Sequence, residues 1–367
     1  MRDPRIEALA RVVVNYSLEL EEGQTFLISG GAVAGPLVQA LYEETLRVGA
    51  HPVLDLSLEG TQPAFYELAS DAQIDWISPV QQWGFAEADA RVRVLSETNV
   101  RELSSVPPER QTRRQKATHP YMQKMMERSA AGELRWNVTL FPTNAYAATA
   151  GMSLRGFEDF YYRACLCEEP DPVAAWEQAA TETHRLAGWI EGREEVHIKG
   201  PGTDLKLNVA GRHFKPADGK YNMPDGEFFT GPVEDSAEGE ISFHLPATYG
   251  GREVAGVRFR FEAGKVVEAS AERGEDFLIE MLDTDAGARR LGELGVGTNF
   301  GIAAGTGEIL LDEKIGGTVH LAVGESYPET GGVNQSAIHW DMICDLRQGG
   351  SITVDGELLQ QDGKFVV

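Results

Sequence analysis

Three cysteines in 367 residues are too few for a disulfide framework. Cys165, Cys167 and Cys344 leave one thiol over however they are paired, and a reducing compartment, the cytoplasm, is expected. The C-x-C at Cys165 and Cys167 is too short to signal a metal site and reads as helix packing. Long apolar runs are also missing. No stretch of about eighteen apolar residues occurs, so no membrane partner and no spanning helix are expected. The N-terminal run MRDPRIEALARVVVNY sets Arg and Asp inside an amphipathic pattern and lacks the unbroken apolar core of a secretion signal. Positive charge is scarce: 33 Lys and Arg stand against 57 Asp and Glu, a formal net charge of −24. Phosphate contacts need a basic face, so nucleic-acid binding is disfavoured. A negative field suits a cationic ligand such as a free α-ammonium group, although solubility alone accounts for much of such charge. A nucleotide fingerprint is absent too. The run after the first predicted strand is SGGAVAGP rather than G-x-G-x-x-G, and its glycines read as a tight strand-to-helix turn.

What is present divides into two parts. The length favours two domains, 1–188 and 189–367. In the first, apolar spacing of three and four predicts helices over Ile6–Leu18 and Pro36–Val48. Strands are predicted at Thr25–Ser29 and His51–Leu56, which makes a βαβ unit and a parallel sheet. Further strands follow at Ala90–Leu95 and Trp136–Phe141. A long polar helix, Pro107–Ala131, is expected to face solvent or a partner, because Arg110, Arg113, Arg114 and Lys116 concentrate positive charge there. From about Glu191 glycine becomes frequent and alternating strands dominate, as at Val196–Lys199, Thr203–Val209 and Val257–Glu262. The fold class expected is an α/β N-terminal domain with a parallel sheet, followed by a β-rich α+β C-terminal domain.

The candidate chemistry lies in that second domain. Around His320 the chain alternates with period two, so His320 points away from the apolar Val319, Leu321 and Val323. Around His339 the same alternation sets His339 and Asp341 on one face, about 7 Å apart at the backbone. On a helix they would diverge by roughly 200°. Imidazole and carboxylate on one face of an apolar strand form a divalent-metal pattern; the alternative for either histidine alone is a satisfied core histidine beside a surface acid, which the two strands together disfavour. Two acids join them. Glu293 sits between glycines in LGELGV, and Glu227 precedes two aromatics in PDGEFFT. An acid buried in such surroundings must meet a cation. For Glu293 that cation is either a metal or Arg289 or Arg290. Glu227 either enters a site or is exposed in a turn.

The runs DEKIGGTVHLAVGESYPETGG and NQSAIHWDMICDLR, with NMPDGEFFTGP upstream, resemble the aminopeptidase T / aminopeptidase S family of dinuclear metalloaminopeptidases, and the resemblance extends over the whole chain. It implies that Glu227, Glu293, His320, His339 and Asp341 hold two divalent ions, Co, Zn or Mn, in the C-terminal domain. It implies catalytic roles for Tyr327, Glu227 and Glu293, with Glu313 as an outer partner. The expected reaction is metal-dependent release of N-terminal amino acids from a peptide substrate with a free N-terminus, by a homodimer. The alternatives are another metal-dependent amidohydrolase or esterase, or a non-catalytic protein binding metal and a small ligand. The donor set of His, Glu and Asp without thiolate favours catalysis over a closed structural site.

Overall fold

The computed structural model describes residues 2–367. The chain forms two compact units. One runs to Glu177 and takes in Gly219–Met223; the other comprises Gln178–Asp218 and Pro224–Val367. No helix among the described residues is long and apolar enough to cross a membrane.

The first unit is built on a parallel sheet. Strands β1 (Thr25–Gly31), β2 (His51–Ser57), β3 (Ala90–Leu95) and β4 (Arg135–Leu140) take the order β2-β1-β3-β4, and the short strand Asn222–Met223 adds beside β4. The helix Gly35–Arg47 makes the crossover from β1 to β2, with Pro36 in its first turn, and buries Leu37, Val38, Ala40 and Leu41. The glycines that end β1, Gly30 and Gly31, serve close packing. A Cβ on Gly30 would lie 2.8 Å from the Val94 carbonyl oxygen, and one on Gly31 would lie 2.8 Å from Ser96 Oγ.

The long helix is Pro108–Ala130. Its arginines do not form a free patch. Arg113 pairs with Asp71 at 2.6 Å and Asp75 at 2.5 Å. Arg114 donates to the carbonyls of Ile74 and Trp76, and Arg110 to that of Ala69. The partners come from the short helix Asp71–Asp75, capped by Ser70, and from its flanks. The positive charge of this helix is therefore largely spent inside its own unit.

The second unit holds two larger antiparallel sheets. One has eight strands, among them Glu195–Gly200, Thr203–Asn208, Arg258–Glu262 and Ser351–Val354. The other is formed by β5 (Lys215–Ala217), β6 (Glu227–Thr230), β7 (Leu291–Gly297), β8 (Thr318–Gly324) and β9 (His339–Asp345), in the order β9-β8-β7-β6-β5. One face of this five-stranded sheet gives Phe228, Leu294, Val296, Val319, Leu321, Val323, Trp340, Met342 and Cys344 to an apolar core. That core also takes Val196, Ile198, Leu205, Phe259 and Ile352 from the eight-stranded sheet. Burial of so much apolar surface is the main force holding the two sheets together.

Candidate metal centre

The other face of the five-stranded sheet carries the polar side chains. Directly opposed residues of an antiparallel ladder share a face. The register pairs Glu293 with Ala322 and Ala322 with Asp341. It also pairs Gly324 with His339, Gly295 with His320, and Gly297 with Glu227. One row after another thus sets a functional side chain beside glycine or alanine. The small residues are the space into which the large ones fold. A Cβ on Gly295 would stand 2.0 Å from His320 Nε2, so the imidazole lies directly over that glycine.

All five predicted ligands converge here. His320 Nε2 lies 3.1 Å from Glu227 Oε2 and 3.3 Å from Glu293 Oε1. His339 Nε2 lies 3.2 Å from Glu293 Oε2 and 3.6 Å from Asp341 Oδ2. The donor atoms form two triads, Glu227–Glu293–His320 and Glu293–His339–Asp341, each with its atoms within 4.8 Å of one another. Glu293 belongs to both and turns one oxygen to each imidazole. Its cationic partners are thus histidines. Arg289 pairs with Asp283 instead, and Arg290 donates to the Glu234 carbonyl. Glu227 is buried rather than exposed in a turn.

The residues fit a divalent cation. His339 donates from Nδ1 to the Glu325 carbonyl at 2.8 Å, which leaves Nε2 as the lone-pair donor facing the carboxylates. Asp341 Oδ1 is buried and makes no hydrogen bond among the described residues, and Glu227 Oε2 meets only the His320 imidazole. Orphaned buried carboxylate oxygens are costly unless something cationic meets them. Electrostatics agree. Burial disfavours the Glu293 anion, yet hydrogen bonds from His320 and His339 outweigh it and hold the carboxyl at about 2. Burial also opposes the imidazolium forms, but neighbouring carboxylates push His320 up to about 9 and His339 to about 11. Burial raises Glu227 to about 8 despite Lys314. Without a metal, protons thus occupy the place of cations, and metal binding must release them.

Lys314 was not found in the sequence as part of this site. Lys314 is fully buried, with Nζ 3.4 Å from Glu227 Oε1, 3.9 Å from Asp225 Oδ1 and in contact with Glu313. Glu313 is thereby tied to Glu227 through a shared ammonium. Tyr327 stands at the rim, its ring 5.0 Å from that of His339 and edge-on to Phe229. Burial and then the carboxylate field of Glu293 and Asp341 hold its hydroxyl protonated well above the usual tyrosine range.

The family model described as thermophilic metalloprotease (M29) matches residues 2–365. This chain belongs to the thermophilic metalloprotease family M29. Among its curated relatives, aminopeptidase T of Thermus thermophilus is 30% identical over 396 residues, covering 98% of this chain and 95% of the relative. Aminopeptidase 2 of Geobacillus stearothermophilus is 25% identical over 406 residues, covering 99% and 95%. The solved structure of wild-type AmpT from Thermus thermophilus superposes with a TM-score of 0.86 at 27% identity, covering 99% of each chain. Membership of this metalloprotease family implies divalent-metal binding, and the face built by β6 to β9 carries a candidate donor set for it.

Lys314→Met is expected to destabilise the metal-free M29 chain by about 3–5 kcal/mol, because it removes one partner from a buried charge cluster and leaves the carboxylates unpaired. Urea unfolding of chelator-treated protein measures this. A change below about 0.5 kcal/mol would mean that the ammonium is dispensable to the cluster.

Proposed function

We infer that this chain is a metal-dependent aminopeptidase whose five side chains Glu227, Glu293, His320, His339 and Asp341 hold two divalent ions. The observation that carries the reading is Glu293, shared by two triads that together use both of its oxygens. The aminopeptidase names of the M29 relatives support the same activity. Co, Mn and Zn all suit a nitrogen and oxygen donor set without thiolate.

The ions, when bound, supply Lewis acidity at the scissile carbonyl and lower the pKa of water. The chain does the rest. Both oxygens of Glu293 face imidazoles, so Glu293 orients the ligand set. Of the two glutamates, Glu227, which faces one imidazole where Glu293 faces two, takes the proton of the attacking water and passes it to the leaving amine. Lys314 holds Oε1 of Glu227 and so fixes its rotation. Tyr327, kept protonated, donates to the oxygen on which negative charge develops. The surplus of carboxylates attracts the substrate's free α-ammonium group.

Exhaustive chelation is expected to abolish release of p-nitroaniline from Leu-p-nitroanilide, and Co²⁺, Mn²⁺ or Zn²⁺ to restore it. N-acetylation of the substrate is expected to prevent hydrolysis in the metal-loaded enzyme. Equal rates on acetylated and free substrates would point to an amidohydrolase or esterase, and full activity without metal would end the metallopeptidase reading.

We place the enzyme in the cytoplasm, in keeping with three free, buried cysteines. We also infer a homodimer. With the arginines of Pro108–Ala130 engaged within their unit, its support comes from apolar surface. Leu54 and Leu56 are exposed on one side of the edge strand β2, and Leu58 just beyond it is 66% exposed. Sedimentation at low micromolar concentration is expected to give the mass of two chains. A single-chain mass would refute the dimer without touching the chemistry.

A further inference from the structure

A cavity of about 370 Å³ adjoins the Glu293–His339–Asp341 triad in the second unit, with His339 and Asp341 in its wall. The ligand set makes no use of it. Its apolar wall comprises Ala247 and Tyr249 from the strand Ala247–Tyr249, Ile309 from the short helix Ile309–Asp312, and Ile343 from β9. Tyr249 is held in place by Trp340, with ring centroids 5.5 Å apart. Ile309 is 44% exposed, a large aliphatic side chain left open beside a metal-type site. The loop that presents it is fixed from below. Asp312 accepts from Thr306 N at 2.7 Å, from Thr306 Oγ1 at 2.8 Å and from Gly307 N at 2.8 Å. Asp312 and Glu308 also line the cavity, and among the described residues no lysine or arginine does.

We propose that this cavity receives the side chain of the substrate's N-terminal residue and selects aliphatic and aromatic side chains over acidic ones. The proposal rests on the aminopeptidase reading above. In such a substrate the free amine and the scissile carbonyl flank one carbon, and the side chain branches from that carbon. With amine and carbonyl at the triad, the side chain enters the space bounded by His339 and Asp341. The volume lies at the lower end of small-molecule sites, enough for one residue. An apolar side chain meets Ala247, Tyr249, Ile309 and Ile343. A carboxylate would be desolvated beside Glu308, Asp312 and Asp341 with no lysine or arginine to meet it.

The test compares Leu-, Ala- and Glu-p-nitroanilide with the metal-loaded enzyme and two variants at Ile309, whose exposure lets the fold tolerate change. Wild type is expected to favour Leu over Ala by about tenfold and over Glu by about a hundredfold or more in kcat/KM. Ile309→Trp fills the cavity and is expected to lower kcat/KM for Leu by at least about tenfold while that for Ala moves less than about threefold. Ile309→Lys supplies the missing cation and is expected to raise the Glu-to-Leu ratio by at least about tenfold. Metal content and melting temperature should stay as in wild type. Equal losses on all three substrates, or unchanged ratios in both variants, would overturn the pocket assignment. Failure of the metal-loaded wild type to cleave any substrate with a free amine would sink the aminopeptidase reading instead.

Discussion

Glu293→Gln is expected to lower kcat/KM by about a thousandfold or more, beyond the roughly 10–100-fold that changes to the outer partners of metal ligands cost. Glu293 is the one residue common to both triads, with one oxygen 3.3 Å from His320 Nε2 and the other 3.2 Å from His339 Nε2. Glutamine keeps the shape but turns one acceptor oxygen into an amide donor that faces an imidazole or a cation. Metal loading should therefore weaken at both triads together, whereas Asp341→Ala should weaken only the triad that contains Asp341. The metal-free variant carries its own signature. The wild-type carboxyl is held at about 2, below the ordinary glutamate value, chiefly because hydrogen bonds from His320 and His339 overcome burial. A depressed acid stabilises the fold above its unfolded pKa and loses that contribution as pH falls through the folded one. The stability deficit of Glu293→Gln should thus be present at neutral pH and shrink as pH drops from about 4.5 towards about 2. Calorimetric metal titration and chelator-treated unfolding at several pH values measure both effects. Wild-type metal affinity at both triads, or wild-type turnover, would show that Glu293 is not a shared ligand.

Much of this site is legible in the sequence, because a strand advertises its two faces. The alternation through Val319–Val323 and through Ile338–Cys344 places His320, His339 and Asp341 opposite an apolar core, and β8 and β9 carry them so. The acid between glycines in LGELGVG was legible as a buried charge in want of a cation. What that cation was required pairing between strands far apart in sequence, and composition offered Arg289 and Arg290 with equal plausibility. Lys314 was hidden for the same reason. In the run Asp-Glu-Lys it looks like solvated surface, and only the approach of Asp225 and Glu227 from another strand region makes it a buried ammonium. The pairing of the long helix's arginines inside their own unit has no signal in the sequence, because their partners sit in a five-residue helix too short to show a period. The return of Asn222–Met223 to the parallel sheet has no signal at all in two residues, since pairing partners are a property of the fold and not of the strand.

Gly295→Ala is expected to cripple one half of the centre while leaving the other assembled. The methyl group would stand 2.0 Å from His320 Nε2 and 2.1 Å from Cε1, and His320 is fully buried with nowhere to swing. The clash is with a side chain, unlike those at Gly292 and Gly297, where a Cβ would meet the backbone carbonyls of Glu325 and Ile315 at 2.1 Å. Alanine is tolerated in a strand, and overpacking of this kind costs about 1–3 kcal/mol, so the chain should still fold. The imidazole, however, must leave the position that faces Glu227 and Glu293. Metal titration should then lose the binding event of Glu227–Glu293–His320 and keep that of Glu293–His339–Asp341, with turnover falling by about a hundredfold or more, as for other misplacements of a catalytic group by about 1 Å. A double-mutant cycle separates this from a general strand defect. In a His320→Ala background the added methyl group has no imidazole to strike, and its cost to stability should fall to within about 0.5 kcal/mol of zero. If Gly295→Ala costs as much without the imidazole as with it, the glycine serves the strand and not the histidine, and the account of why β7 carries small residues opposite its ligands is wrong.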